Sequence, residues 1–481
     1  MADVGIGSGI NIGSIVSSMV AAERAPKETQ LANLEKKTTT QITAVGALKS
    51  AISDFQTALG ALNKPELFQA RSATSSKSDL VGVSASTAAG AGSYQVEVEQ
   101  LATSSKVALA AVKNSPDAPA RFASGTLEIS LGVPGDPPSK ESFSIRVDES
   151  NNTLAGMRDA INAAGKAKGV NATVVTDEHG SRLVLSSSKT GDGRDITVAA
   201  TSDDASVQAD QVSLSKLAFD GTSTTDDGPR ALATAQSARL SIDGLQIVSE
   251  TNKVEGAIEG VTLDLKAKTV ENEPLTIKVA EDKAGVKKQV QSFVDSYNKL
   301  IGVINTQTKV TAVGDDKAPV TGALVGDATA RTLLNTIRNE LVNVQGDGAL
   351  RALTDLGITT QKDGTLKIDD AKLGKAMDGN FTELPALFTG EKGLASRLDE
   401  KLKPYTETGG ILEQRNKVMN ETISKIDDQR EDLNRRITSL QERLNKQFNA
   451  MDLLVGQLAN TSSSLLASLE NLPWAAGNSK K

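Results

Sequence analysis

The residue with the widest chemical range in this chain is its single histidine, His179, set in Asp177-Glu178-His179-Gly180. An imidazole among carboxylates can shuttle protons or ligate a metal, but either task needs partners converging from elsewhere in the fold. The segment lies between two alternating stretches, so its plainer reading is a hairpin-turn histidine. The acid pairs Asp203-Asp204, Asp226-Asp227 and Asp369-Asp370 lack the alternate-position spacing of a calcium loop and read as solvated loop charge. Ser186-Ser187-Ser188-Lys189 fits S-x-x-K and Lys189-Thr190-Gly191 fits K-T-G, but acyl-transfer enzymes need the two signatures on separate elements. Sharing Lys189 makes the match accidental. Gly5-Ile6-Gly7-Ser8-Gly9 resembles a phosphate-cradling loop, yet no strand precedes it and no acidic ribose partner follows, so it reads as a flexible spacer. No catalytic, cofactor-binding or metal-ligating residue is expected, and no enzyme activity.

Composition narrows the classes further. The 481 residues carry a formal net charge of -7 with no long basic run, which gives no footprint for nucleic acid or anionic lipid. The absence of cysteine removes disulfides, thiolate metal sites and cysteine nucleophiles together. Aromatic residues are only 3% of the chain, too few for the stacking platforms of a carbohydrate-active enzyme, which would also need a positioned carboxylate pair; Trp474 lies in the tail. No stretch reaches eighteen apolar residues and the start has no basic n-region, so the expectation is a cytoplasmic chain or one exported without a cleaved signal peptide.

Two helical seams frame the sequence. Leu31, Leu34, Thr38, Ile42, Val45, Leu48, Ile52, Phe55, Leu59 and Leu62 recur in steps of three and four, predicting a helix with Pro26 in its first turn and Asn63-Lys64-Pro65 at its end. A second seam runs Met419, Ile423, Ile426, Arg430, Leu433, Ile437, Leu440, Leu444, Phe448, Met451, Val455, Leu458, interrupted by Arg430. Neither stripe can stay in water alone, so the two helices are expected to pack on each other. Between roughly residues 80 and 282 the period changes to two, in short strands with Gly, Pro and Asp turns. One helix, Thr153 to Asn162, completes a β-β-α-β-β module, and Thr201 to Arg230 reads as an exposed acidic loop. Lys362-Asp363-Gly364 joins two alternating runs as a hairpin.

These residues resemble a known family, the flagellar hook-associated proteins that cap the filament. Gly5 to Ile12, Ile15-Val16 and Glu23-Arg24-Ala25-Pro26 are similar to its opening motif, with Asn11 where an aspartate is usual. Asn152-Thr153-Leu154 through Asp159-Ala160-Ile161-Asn162, Gly169-Val170-Asn171-Ala172 and Arg182-Leu183 to Lys189-Thr190-Gly191 resemble the flagellin and hook "IN" motif. Leu356-Gly357-Ile358, Asp363-Gly364-Thr365-Leu366, Gly393-Leu394-Ala395 and Gly409-Gly410-Ile411-Leu412 resemble the C-terminal domain, and Gln447-Phe448-Asn449-Ala450-Met451-Asp452 the last helix. The resemblance implies a homo-oligomeric ring, a pentamer, with terminal helices as legs and β-domains as a plate. It implies a protein secreted through the flagellar export apparatus with a chaperone, placed on the distal filament tip, promoting flagellin incorporation and preventing its leakage. Another axial protein (flagellin or a hook–filament junction protein) and a surface adhesin are the alternatives, with host-surface adhesion also a secondary role.

The expected fold class is α+β and multidomain: an antiparallel terminal helical coiled coil carrying a mixed α/β domain and two nested, mostly β head domains. The expected division is a leg region (1–45 and 441–481), a coiled-coil and mixed stalk domain (46–79 and 283–440), a β head domain (80–118 and 232–282) and a nested β-β-α-β-β head domain (119–231). The outermost seams, Ile12 to Val20 and Val455 to Leu472, extend past the domain body with apolar faces exposed. Ile12, Ile15, Val16, Met19, Phe448, Met451, Leu454, Val455 and Leu458 are therefore the expected oligomer and filament contacts.

Overall fold

A computed structural model describes residues 11–115, 117–132, 141–203, 207–223, 226–314, 318–343 and 348–470. The glycine-rich start at Gly5, Leu472 and Trp474 lie outside the described residues. The chain divides into two compact units, residues 1–68 with 284–481, and residues 69–283. It is α+β: the first unit is built on long helices and the second on mostly antiparallel sheets.

In the first unit the N-terminal helix runs Ile12–Leu62 and the C-terminal helix Ile411–Glu470. The N-terminal helix begins more than three turns before Pro26, which therefore sits inside it. Proline in a helix interior costs about 3 kcal/mol relative to alanine, and two local features oppose that cost. The Asn11 side chain caps the new start by accepting from the Ser14 amide at 2.9 Å, and Ile12 and Val16 are buried against Leu444. Cross-helix pairs fix the direction: Lys49 faces Glu413, Glu35 faces Arg430, and Val16 meets Leu444. One number falls as the other rises, so the helices are antiparallel.

The stripe of the N-terminal helix serves two partners. Leu31 and Thr38 are buried near its middle, with the Thr38 hydroxyl donating to the Leu34 carbonyl, while Leu34 is exposed. From Ala44 to Leu62 the same stripe enters the main core, against Lys283–Thr308 and Leu394–Thr406. That core concentrates the scarce aromatics. Phe55 lies 5.6 Å from Phe293 and 5.8 Å from Tyr297 between ring centroids, and Phe68 stacks on Phe388 at 6.3 Å. The buried Tyr297 hydroxyl donates to the Gly364 carbonyl at 2.8 Å, at the turn joining Ile358–Thr360 to Leu366–Ile368. Gly364 has φ 88° there, a conformation open to glycine.

The second unit opens and closes on one strand pair: Arg71–Ser75 runs antiparallel to Leu275–Glu281, with the Asp282 amide donating to the Ala70 carbonyl. Residues 71–79, expected in the stalk, thus begin the β-unit; Arg-Ser-Ala-Thr-Ser carries too little apolar alternation to announce a strand. The five-stranded sheet continues through Gly92–Gln100 and Ala238–Ile242 to Leu245–Ser249. Its last hairpin turns at Asp243-Gly244, both at positive φ, as a two-residue hairpin requires.

The β-β-α-β-β segment is divided between two sheets. Gly125–Leu131 pairs with Ile196–Ser202 on one side and Glu141–Val147 on the other, whereas Gly180–Thr190 lies between Val170–Asp177 and Ser104–Ala108, and Ser104–Ala108 pairs in turn with Arg230–Ala233. Helix Leu154–Gly165, capped by Thr153, packs Leu154, Met157 and Ile161 into their shared core. Strand Ser104–Ala108, expected in the enclosing domain, belongs to this nested core through Val107 and Leu109. The nested part is closed at Thr103 and Gln236, whose amides and carbonyls exchange hydrogen bonds at 3.0 and 3.1 Å. The loop expected over 201–230 is also anchored: Leu214, Leu217 and Phe219 are buried, and Asp203 pairs with Arg146. The expectation missed Leu-Ser-Lys-Leu-Ala-Phe as a core insertion amid polar residues.

Replacing residues 104–235 by a short linker should leave a cooperatively melting protein, because Thr103 and Gln236 are already paired and closure entropy grows slowly with length. Deleting only 119–231 should give an aggregating product that binds a hydrophobic dye, since it strands Val107 and Leu109. At high pH the core should weaken through Tyr297, whose phenol burial pushes up to about 12. The unfolded tyrosine ionises near pH 10, so this contribution is intact below that value and is lost as pH rises from 10 towards 12. Tyr297→Phe should flatten the fall in melting temperature over that window; an unchanged slope would exclude Tyr297 as its source.

Candidate functional site: the open end of the terminal helix pair

Nine residues were expected to present an apolar contact surface, and the structure sorts them into two groups. Ile12 and Val16 are buried within the chain itself, packed on Leu444 with Val20, Leu440 and Phe448 half-buried around them. Val16 is 1% exposed. The N-terminal segment from Ile12 is therefore clamped to its partner helix rather than free, because its own seam meets Leu440, Leu444 and Phe448 in antiparallel register. Ile15 is half-buried and Met19 exposed.

Beyond Phe448 the C-terminal helix continues with no described partner along its apolar side. Met451, Leu454, Val455 and Leu458 are all exposed, Leu454 to 60% and Leu458 to 68%. Leu453, Leu465, Leu466 and Leu469 extend the exposed apolar surface; the three- and four-residue spacing that marked Leu454 and Leu458 continues through Leu465 and Leu469 and could have found them.

Polar groups fix the register above this end. Arg430, the break in the apolar seam, reaches across the helix pair to Glu35 at 2.5 Å and also faces Asp427. The Arg430 hydrogen bond holds the Glu35 carboxyl below its usual range. Farther up, Arg415 engages the Asp327 carboxylate, which itself caps helix Ala328–Val342 by accepting from the Ala330 amide. The C-terminal helix is thus tied to the helical core at one end and to the N-terminal helix along its middle.

The other sequence candidates stay apart from this surface. His179 occupies the turn between Val170–Asp177 and Gly180–Thr190, with Asp177, Glu178 and Asp227 carboxylates 3.7–4.0 Å from its ring nitrogens. Behind it Arg182 is buried, bonded to the Asp177 carboxylate at 2.9 Å and the Asp226 carbonyl at 3.0 Å. Asp369 caps helix Asp370–Gly379 through the Ala371 and Lys372 amides. Ser186 to Gly191 lies largely in strand Gly180–Thr190, and among the described residues no three His, Asp or Glu side chains are grouped to hold a metal ion.

A helix pair made from the two ends of the chain, with a β-unit inserted between them in the sequence whose residues 140–189 match the flagellin hook IN motif, defines a protein of the flagellar structural class. Residues 8–105 match the flagellar hook-associated protein 2 N-terminus and residues 235–460 its C-terminus. The chain belongs to the flagellar hook-associated protein 2 family. It is 49% identical to the B-type flagellar hook-associated protein 2 of Pseudomonas aeruginosa over 482 residues, 99% of each chain. It is 31% identical to the flagellar hook-associated protein 2 of Escherichia coli, covering 98% of each. Its fold is similar to the crystal structure of the D1-D2-D3 domains of the flagellar cap protein FliD from Escherichia coli, at TM-score 0.60 and 28% identity, over 78% of this chain and 99% of that one.

Because Val16 is the most buried member of the clamp, Val16→Asp should release the first turns of the N-terminal helix. Hydrogen exchange should show amides 12–20 losing protection while those of Lys283–Thr308 keep theirs. Retained protection at 12–20 would mean that Ile12 and Val16 do not hold this segment.

Proposed function

We propose that this chain caps the distal tip of the bacterial flagellar filament, where it promotes flagellin incorporation and prevents flagellin from leaking away. It works as a homo-oligomeric ring, five copies being the favoured number, and reaches the tip through the flagellar export apparatus. The terminal helix pairs are its legs and the β-units its plate. The observation that carries the anchoring role is the exposed apolar run from Met451 to Leu469 at the end of a helix whose Ile426, Leu433, Ile437 and Leu444 are buried. Such a surface is costly in water and is covered on docking. Ile12, Val16 and Phe448 support it from behind by holding the pair closed, and Met451, Leu454, Val455 and Leu458 make the contact.

The reaction carried out is assembly, with no bond made or broken. Burying one leucine contributes roughly 1.5–3 kcal/mol, so a few of them per leg, multiplied over a ring, hold the cap without requiring a deep socket. Leu454→Asp with Leu458→Asp should abolish attachment while leaving circular dichroism and cooperative melting unchanged, since both side chains are exposed in the folded chain. Cells making this variant should secrete unpolymerised flagellin and carry few or short filaments. Filaments of normal length would remove the anchoring role from these helices; a purified protein that polymerised alone into long filaments would instead favour a flagellin.

A further inference from the structure

Above the bare end, the helix pair carries a second unfilled surface. A groove of about 670 Å³ follows residues 433–444 of the C-terminal helix, and the N-terminal helix contributes only Met19 and Glu23 to it. Its floor is apolar, formed by Leu433, Ile437, Leu440 and the 45%-exposed Met19. Its rim is cationic. Arg436 and Arg443 are exposed, seven residues apart, and have no carboxylate partner among the described residues, whereas Arg435 is engaged by Glu431 and Asp432. Glu23 stands on the other helix, exposed and likewise unpaired among the described residues.

At about 100° per residue, Arg436, Leu440, Arg443, Leu454, Leu458, Leu465 and Leu469 fall within one sector of the helix roughly 80° wide. The groove and the bare end are therefore one continuous face, about 50 Å long at 1.5 Å per residue. A cation repeating every seven residues beside an apolar floor is the pattern that selects a partner helix in a coiled coil, where flanking charges set the choice of partner.

Resting on the capping reading, we propose that this face seats a third helix contributed by flagellin at the filament tip. That helix is amphipathic: its apolar stripe covers Met19 and Leu440, carboxylates seven residues apart meet Arg436 and Arg443, and a basic side chain meets Glu23. A second copy docking through the same face is the poorer occupant, because such an isologous contact sets arginine against arginine.

The test is co-sedimentation of the purified full-length protein with filaments polymerised from purified flagellin of the same bacterium, at several salt concentrations. Wild-type binding should weaken as salt rises, and Arg436→Glu with Arg443→Glu should weaken it about ten-fold or more at low salt. Arg436→Lys with Arg443→Lys should retain most of it, and all variants should keep the wild-type helical signal because the positions are exposed. Binding by the glutamate variant within about two-fold of wild type overturns the groove. If Leu454→Asp with Leu458→Asp still abolishes binding in that case, the capping reading survives without it; if neither pair has an effect, both fall. Concentration-dependent self-association of the protein alone, lost in the glutamate variant, would assign the groove to a second copy and also overturn the proposal.

Discussion

The structure depends on one constraint: a long amphipathic helix cannot leave its apolar stripe in water. The N-terminal helix resolves this by changing partner along its length, meeting the C-terminal helix from Ile12 to Thr38 and the aromatic core from Ala44 to Leu62. Its partners come mainly from later in the sequence, after residue 283, so the chain must return to where it left. Residues 69–283 are therefore an insertion in the helical unit. Each insertion is closed by pairing its entry with its exit, first Arg71–Ser75 with Leu275–Glu281 and then Thr103 with Gln236. Nesting is the sequence-level consequence of antiparallel closure applied twice.

What the sequence revealed follows from how strongly each element is patterned. Seams over many turns left little freedom, so both terminal helices and their antiparallel pairing were legible, as was the Asp363-Gly364 hairpin. The start of the first helix was not, because Pro26 carries a strong local stop signal and the compensating burial of Val16 against Leu444 is tertiary. The strand Ser104–Ala108 was misplaced for a related reason. Lys-Val-Ala-Leu-Ala is apolar without clear alternation, and its partner is about eighty residues away in Gly180–Thr190. Among the contact residues, Ile12 and Met451 have the same character in sequence; only the antiparallel register shows that one is covered and the other bare.

Arg430 illustrates how a polar residue in an apolar seam can serve the fold. An unpaired guanidinium there would be costly. Bonded to Glu35, and with both groups partly solvated, it costs little and matches one height on each helix. Apolar stripes alone tolerate sliding by a heptad. A single ionic pair at one level disfavours such slips, and Arg415 with Asp327 fixes the far end to the helical core in the same way.

The bare end of the C-terminal helix is not one unbroken hydrophobic surface, and the interruption bears on how it can work. Thr461-Ser462-Ser463-Ser464 divides Met451–Leu458 from Leu465–Leu469. Within that run the Thr461 hydroxyl donates to the Gln457 carbonyl at 2.8 Å and the Ser463 hydroxyl to the Ala459 carbonyl at 2.7 Å, so these hydroxyls are satisfied inside the helix and ask for nothing from a partner. Two short patches joined by a neutral polar stretch bury less than a continuous leucine zipper would, and each patch can be released separately. A cap must stay attached while making room for the next subunit. In the anchoring role proposed above, several modest contacts that exchange one at a time would meet that requirement, whereas one deep contact would hold the cap in place and stop growth.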